Sequence, residues 1–396
     1  MTDADITAEL NRPYLPPLGQ SQQVIGRVTV EPGVQTGDVE RHIALVVDTS
    51  GSMSGAKMER ARNGAKYVLG YLDSDDIITI VGFDSSPTVV LPASRYGEIG
   101  RERVVEKIEE LTAGGGTDIH GGLKQATEEL REIPRTDNTA RRILLLSDGK
   151  DNKRKPADFE RQAREIDEHG IRIRAGGVGD EYSEETIRTL GTAARGQWKH
   201  IEEAAEIQEF FGEAVAEAAT VVGSDAELRM DIADGVEFTE VYRAMPQVQQ
   251  TDVEYTGSNQ AVVKLPDLQE RETQQVLMKI QVPGLEAEQP LELADLTLRA
   301  DSKAATTSIE VEYTDDSDLL GVENEEISRA LDITRVKDNL GKGNVEDAET
   351  RVEQMETKYG EQEEIAELED DVTRVKQGGR AEQESATRVK PDDDKI

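Results

Sequence analysis

Leu45-Val46-Val47-Asp48-Thr49-Ser50-Gly51-Ser52-Met53-Ser54-Gly55 is the stretch around which this 396-residue sequence is organised. An apolar run of strand character ends at the Asp48 carboxylate, and the hydroxyls of Ser50 and Ser52 follow at alternate positions. Two glycines allow the backbone to turn tightly around them. A carboxylate and two hydroxyls on one short loop are hard oxygen donors, which suit Mg²⁺, Mn²⁺ or Ca²⁺ and not a soft metal. The alternative interpretation is a set of N-caps for a helix that begins near residue 56.

The composition is strongly acidic: 82 Asp and Glu stand against 46 Lys and Arg, and the formal net charge is -36. The basic residues divide into 29 Arg and 17 Lys, and the acidic ones are spread along the whole chain. This composition resembles that of a halophile's protein, because molar salt shortens the Debye length to roughly 3 Å and screens self-repulsion. A very acidic mesophilic protein is the alternative. Nucleic-acid binding is not expected, because phosphate contacts need clustered Lys and Arg.

The sequence contains no cysteine, which excludes disulfides, thiolate metal sites and thiol catalysis. Residues 1–20 lack the basic and apolar regions of a signal peptide. No run approaches the ~20 apolar residues that a membrane span requires. The sequence therefore predicts a soluble, cytoplasmic protein without a membrane span.

The segment from 40 to 220 alternates strand-like and helix-like patterns. Such alternation predicts an α/β doubly wound, Rossmann-like fold, with a largely parallel sheet covered by helices on both faces. Asp48 and Asp148 each follow the last apolar residues of a strand. Both are therefore expected at the carboxyl edge of the sheet, where ligands bind in such folds.

The flanking segments have other patterns. Short strand-like runs without intervening helices follow residue 220 and predict an antiparallel β-sandwich, and helical spacing returns after residue 322. The predicted scheme is a flexible arm at 1–20, a strand joining the β-sandwich within 21–39, the α/β domain at 40–220, the β-sandwich at 221–315, an α-helical hairpin or bundle at 322–377 and a disordered tail at 378–396.

Three separated elements resemble the von Willebrand factor A (VWA) family. They are the Asp48-Thr49-Ser50-Gly51-Ser52 motif, Thr117 in a Gly-Gly-Gly-Thr-Asp loop, and the Ser147-Asp148-Gly149 corner. Their order and spacing fit, and each falls on a loop at one sheet edge. The resemblance covers roughly 40–220 and is closest to prokaryotic or haloarchaeal members.

The resemblance implies a complete metal-ion-dependent adhesion site. Ser50 and Ser52 would bind the metal directly, and Thr117 would supply an exchangeable third hydroxyl. Asp48 and Asp148 would act through coordinated water. The implied cofactor is Mg²⁺, or else Mn²⁺ or Ca²⁺, and the implied partner is a protein whose Asp or Glu completes the metal's coordination. Microbial relatives suggest an AAA+ ATPase or a signalling assembly as the wider context.

Two other functions are weaker interpretations of the sequence. A Mg²⁺-dependent hydrolase or phosphatase with Asp48 as nucleophile would need a second acid two residues on, and position 50 is serine. A phosphate-binding P-loop and a Gly-x-Ser-x-Gly nucleophile elbow are also missing from the sequence, so no catalytic residue is predicted. The remaining alternative is a scaffold that binds mainly through its C-terminal helices.

Overall fold

The computed structural model describes residues 4–34, 38–136, 139–151, 153–179, 181–301, 303–378 and 385–389. The chain divides into two compact units. One unit is Gln35–Ser224, and the other combines Met1–Val34 with Asp225–Ile396. The first unit is therefore inserted into the sequence of the second.

The regular elements have the following bounds. The strands are β1 (Asp5–Leu10), β2 (Tyr14–Leu15), β3 (Gln22–Glu31), β4 (Glu40–Asp48), β5 (Ile77–Phe83), β6 (Pro87–Arg95), β7 (Thr139–Ser147), β8 (Ile171–Val178), β9 (Gln197–Ile201), β10 (Val221–Gly223), β11 (Glu227–Ile232), β12 (Glu237–Met245), β13 (Gln249–Gln250), β14 (Glu254–Gly257), β15 (Gln260–Lys264), β16 (Leu268–Gln269), β17 (Gln274–Val282), β18 (Gln289–Ala300) and β19 (Lys303–Tyr313). The helices are α1 (Ala56–Val68), α2 (Tyr96–Ile99), α3 (Arg101–Glu109), α4 (Ile119–Arg131), α5 (Pro156–Asp167), α6 (Glu184–Ala193), α7 (Ile207–Ala219), α8 (Ser317–Leu320), α9 (Glu325–Gly341), α10 (Val345–Tyr359) and α11 (Glu363–Gly378).

The inserted unit is built on a six-stranded sheet in the order β6-β5-β4-β7-β8-β9. All neighbours are parallel except β5 and β6. The strand order reverses at β4, because β5 lies on one side of it and β7 on the other. The carboxyl ends of β4 and β7 therefore flank the crevice that binds ligands in doubly wound sheets. The predicted α/β fold of this segment is confirmed.

Both faces of this sheet are buried. Ile43, Leu45 and Val47 of β4 belong to a core that also includes residues of α1, α3 and α7. Ala44 and Val46 belong to a second core, with residues of α4, α5 and α6. Successive strand side chains point to opposite faces, so a continuous apolar strand is what a two-sided core requires.

The other unit contains two larger sheets, in the orders β1-β3-β17-β12-β13 and β14-β15-β11-β18-β19-β2. In the first sheet β3 pairs antiparallel with β17, from Gln22 opposite Val282 to Val30 opposite Gln274. In the second, β18 pairs antiparallel with β19. That these two sheets form a β-sandwich stays a prediction.

The prediction of a flexible arm at 1–20 is wrong for the residues that the structure describes. Strand β1 pairs antiparallel with β3, and the short strand β2 pairs with β19. The physical reason is burial of apolar side chains: Ile6, Leu10 and Leu15 are all buried. This is the alternating pattern of a half-buried strand.

Three consecutive helices, α9, α10 and α11, share an apolar core that includes Val336, Val352 and Val375. Each of these valines follows Thr-Arg in the sequence, a recurrence that the sequence analysis did not identify. The disordered tail predicted at 378–396 lies mostly outside the described residues. Residues 385–389 are described, and there Thr387 is buried and accepts a backbone hydrogen bond from Val248 (3.0 Å), so disorder is the wrong prediction for them.

Among the described residues, no helix combines the length and the apolar character that crossing a membrane would need.

Candidate metal centre

The site begins at Asp48, the last residue of β4, whose backbone is aligned with Phe83 at the end of β5. The Asp48 side chain is fully buried. Its Oδ1 accepts a hydrogen bond from the Ser50 backbone N–H (2.8 Å), and its Oδ2 accepts one from the Ser147 hydroxyl (2.5 Å). Both carboxylate oxygens therefore have fixed partners, one on each of two adjacent strand ends.

The two hydroxyls of the loop after β4 lie beside the second carboxylate. Ser50 Oγ and Ser52 Oγ are 3.0 Å apart, and Ser52 Oγ donates to Asp148 Oδ1 (2.8 Å). Asp148 follows β7, the neighbour of β4. Helix α1 begins after Gly55 without any side-chain cap, so the N-cap interpretation of this cluster is wrong.

The glycine-rich loop before α4 is fastened to the loop after β4 by two backbone hydrogen bonds. Gly114 N–H donates to Thr49 C=O (2.7 Å), and Gly51 N–H donates to Gly115 C=O (3.2 Å). Gly115 has a φ of +77°, and a Cβ there would meet the Asp84 carboxylate at 2.7 Å. Only glycine fits this backbone conformation and this close approach.

These two backbone hydrogen bonds bring Thr117 close to the loop after β4. A Cβ added to Gly149 would lie 2.7 Å from Thr117 Oγ1 and 3.4 Å from Asp48 Oδ2. The Thr117 hydroxyl and the Asp48 carboxylate therefore both lie close to Gly149, the residue that follows Asp148. The structure thus brings the five predicted residues, from three separate loops, to one edge of the sheet.

Lys57 is a site residue that the sequence analysis missed. Its ammonium donates to Asp148 Oδ2, and the Asp148 side chain is fully buried whereas that of Lys57 is 35% exposed. Lys57 lies in the first turn of α1, directly after the loop that carries Ser50 and Ser52. Its position beside the Ser50–Ser52 loop was the only sequence signal for a role in the site. The contact itself could not be predicted locally, because Lys57 and Asp148 are far apart along the chain.

Charge balance at this edge favours a further cation. Burial raises the pKa of Asp48 above its ordinary value, and the nearby Asp148 carboxylate also raises it. The hydrogen bonds from Ser147 and Ser50 act in the opposite direction. Asp48 and Asp148 are both buried, and the Lys57 ammonium pairs with Asp148. A divalent cation would offset the remaining buried negative charge. The donor set, hydroxyl and carboxylate oxygens, fits a hard cation.

Two other carboxylates near the site have structural roles. Asp118 caps α4 by accepting from Gly121 N–H (3.0 Å), and Asp84 accepts from Ser86 N–H (3.1 Å). Within the part of the chain that the structure describes, no group of three or more His, Asp and Glu side chains is arranged to hold a metal. A metal at this edge would therefore depend on the hydroxyls of Ser50, Ser52 and Thr117.

A comparison with known protein families finds a match within the inserted unit. Residues 42–213 match the family described as von Willebrand factor type A domain. This segment contains most of β4, the strands β5 to β9 and about half of α7, and with them all five predicted site residues.

Curated relatives are distant in sequence. An uncharacterised protein of Synechocystis is 23% identical over 247 residues, which are 62% of this chain and 58% of that protein. The E3 ubiquitin-protein ligase WAV3 of Arabidopsis thaliana is 25% identical over 275 residues, 68% of this chain and 34% of the ligase. The chain thus spans between one third and three fifths of these relatives' lengths.

Solved structures are similar over nearly the whole chain. A von Willebrand factor type A protein from Catenulispora acidiphila has a TM-score of 0.78 at 19% identity, covering 98% of this chain and 92% of that one. The ArnB paralog VWA2 from Sulfolobus acidocaldarius has a TM-score of 0.62 at 15% identity, covering 97% of each. At such identities the likeness establishes a shared fold alone.

Proposed function

We propose that the von Willebrand factor type A domain formed by residues 42–213 is a metal-dependent module that binds a protein partner. Domains of this family are typically interaction modules of this kind. One observation carries the proposal for this chain: the hydroxyls of Ser50 and Ser52 adjoin each other and the buried Asp148 carboxylate, at the carboxyl edge of the sheet.

The residues assigned to the metal are those predicted from the sequence. Ser50, Ser52 and Thr117 would hold Mg²⁺, or Mn²⁺ or Ca²⁺ in its place, through their hydroxyls, and Asp48 and Asp148 would hold coordinated water. When bound, the cation supplies a Lewis-acidic position that an Asp or Glu of the partner can fill. The chain's own part is to keep the donors in place: Ser147 and the Ser50 backbone fix Asp48.

Binding explains this arrangement better than catalysis does. A phosphoryl-accepting aspartate of this kind needs a second acid two residues further on, and position 50 is serine. We therefore propose that the domain is not a phosphatase or hydrolase. An AAA+ ATPase or a cytoplasmic signalling assembly as the partner is part of this proposal, with the predicted β-sandwich and helices adding surface.

Metal titration tests the first half of the proposal. Calorimetry of the full chain with Mg²⁺, Mn²⁺ and Ca²⁺ should give one site in the wild type, weakened at least about tenfold in Ser50→Ala. Ser86→Ala is the matched control, since it removes an exposed hydroxyl from the same sheet edge and should leave the affinity unchanged. Equal affinity in wild type and Ser50→Ala would contradict the assignment.

Partner capture tests the second half. The tagged full chain should retain a partner in Mg²⁺ and release it in EDTA, and Asp48→Ala should retain none. Because the composition resembles that of a halophile's protein, the assay is run in low and in molar KCl. Capture that persists in EDTA, or that is lost only when residues 322–396 are deleted, would favour a scaffold that binds through its C-terminal helices.

A further inference from the structure

We propose that the partner segment carries several acidic residues around the one that reaches the metal, because a basic loop borders the site. This inference rests on the proposed function and specifies the partner's chemistry. The basic loop consists of Lys150, Lys153, Arg154 and Lys155, which follow the Asp148-Gly149 corner and lead directly into α5.

The basic loop is exceptional in this chain. Four of the 46 basic residues fall within six positions, in a protein whose formal net charge is -36. The acidic residue among them, Asp151, is buried, and its Oδ1 accepts a hydrogen bond from the Lys153 backbone N–H (2.9 Å). The surface of the loop is therefore positive, because its one carboxylate, that of Asp151, is buried and accepts a hydrogen bond from the loop's own backbone.

The cations of the basic loop are exposed and available to a ligand. All four side chains belong to exposed residues. Lys150, Arg154 and Lys155 form no ion pair with any residue of the described ranges, although Arg154 interacts electrostatically with Asp158. Lys153 Nζ donates to the Ser85 backbone C=O (3.3 Å). By contrast, the next cations along α5 are neutralised locally, as in the pair of Arg161 with Asp158 at 2.8 Å.

The basic loop lies against the donors of the candidate metal centre. Lys150 directly follows Gly149, the residue that borders Thr117 Oγ1 and Asp48 Oδ2. On the other side, Ser85, whose carbonyl receives Lys153, accepts a hydrogen bond through its hydroxyl from Gly116 N–H (2.9 Å), one residue before Thr117. Lys150 is thus next to the donors along the chain, and Lys153 reaches the neighbouring loop that contacts the Thr117 segment.

An acidic segment is the ligand that this charge pattern fits. At low ionic strength the net charge of -36 repels an acidic partner, so local positive charge favours binding beside a site that takes a carboxylate. Carboxylates next to the metal-binding one would meet the basic loop, and each exposed pair contributes a factor of roughly 1.4 to 5 in affinity. Four such contacts together give a factor of roughly 4 to 600, and we expect about tenfold, towards the lower end of this range.

Defined peptides test the inference with the full chain in Mg²⁺. One labelled peptide has a single Asp within Gly-Ser repeats, and the other has two Glu on each side of that Asp; dissociation constants come from fluorescence anisotropy. The wild type should bind the Glu-rich peptide about tenfold more tightly. The loop variant with Lys150→Gln, Lys153→Gln, Arg154→Gln and Lys155→Gln should bind both peptides equally.

A control variant separates local from overall charge. It neutralises four exposed cations elsewhere in the same unit, through the substitutions Arg101→Gln, Arg103→Gln, Lys124→Gln and Arg131→Gln. This variant should keep the tenfold preference, although its net charge changes by the same amount. Molar KCl should reduce the preference in the wild type, because exposed charges are then screened.

The outcomes distinguish the two proposals. Equal binding of both peptides by the wild type, with binding still lost in EDTA, overturns the acidic-segment inference and leaves the proposed function standing. No Mg²⁺-dependent binding of either peptide overturns both. Tighter binding of a single-stranded oligonucleotide than of the Glu-rich peptide, lost in the loop variant, assigns the basic loop to nucleic acid and also overturns the inference.

Discussion

Replacing Lys57 by Met tests how the metal-free site balances its charge. The substitution keeps the length of the side chain and removes the ammonium that contacts the buried Asp148 carboxylate. Breaking a fully buried ion pair costs about 3–5 kcal/mol, and an exposed pair contributes roughly 0.2–1 kcal/mol. Lys57 is 35% exposed and Asp148 fully buried, so we expect a loss of about 2 kcal/mol in the metal-free chain.

Saturating Mg²⁺ should reduce this loss to about 0.5 kcal/mol, because the divalent cation then offsets the charge of Asp148. By linkage, the difference of about 1.5 kcal/mol appears as roughly tenfold tighter Mg²⁺ binding in Lys57→Met. Lys57 is thus expected to stabilise the empty site and to oppose the metal.

Urea unfolding followed by tryptophan fluorescence measures the loss of stability without and with Mg²⁺. Trp198 is the single tryptophan of the chain and is buried in β9 of the inserted unit, so its signal reports on that unit alone. Denaturation curves with EDTA and with Mg²⁺ give the two free energies, and calorimetry gives the metal affinity independently.

Two variants control the experiment. Lys57→Arg keeps the positive charge and should restore most of the stability. Lys66→Met, on the same helix, breaks a pair with the half-exposed Glu109, and should cost less than about 1 kcal/mol with or without Mg²⁺. A loss in Lys57→Met that is the same in EDTA and Mg²⁺ would refute the reasoning.

Three further predictions follow from individual contacts. Gly149→Ala places a Cβ 2.7 Å from Thr117 Oγ1 and should lower Mg²⁺ affinity by about 10–100-fold in calorimetry, while Trp fluorescence reports an intact fold. Burial lowers the pKa of His42 below its ordinary 6.5, so the unfolded chain binds the proton more readily; stability should fall as pH falls below 6.5, and less so in His42→Gln, as urea midpoints across pH will show. Gly122→Ala places a Cβ 2.8 Å from Phe83 Cδ1 and should cost about 1–3 kcal/mol by overpacking α4 against β5, measured by urea unfolding; an unchanged midpoint would contradict it.

The site could be predicted from the sequence to the extent that its residues end strands. Asp48 and Asp148 each terminate a buried apolar run, and parallel strands bring their carboxyl ends to one edge. Thr117 followed from the glycines before it together with the family resemblance. In each case the chemistry is carried by a local motif, and the period of the apolar residues fixes where that motif lies.

Lys57 and the strand β1 show what such reasoning could not reach. The partner of Lys57 is set by packing between α1 and the end of β7, which no local pattern encodes. In β1, the alternation of Ile6 and Leu10 with polar residues is short and adjoins a proline-bearing segment. The polar, proline-bearing composition therefore led to the prediction of a flexible arm in place of a strand. The partner strand of β3 is also non-local, since β17 lies some 250 residues later.

That same pairing has a consequence for the nascent chain. Ribosomal synthesis releases β1 and β3 early, and the complete inserted unit, Gln35–Ser224, emerges before the first residue of β17. Until β17 is synthesised, the edge of β3 that β17 covers lacks its partner strand, and an unpaired strand edge is exposed to aggregation. Closing so long a loop is also slow, which lengthens the time for which this edge stays unpaired.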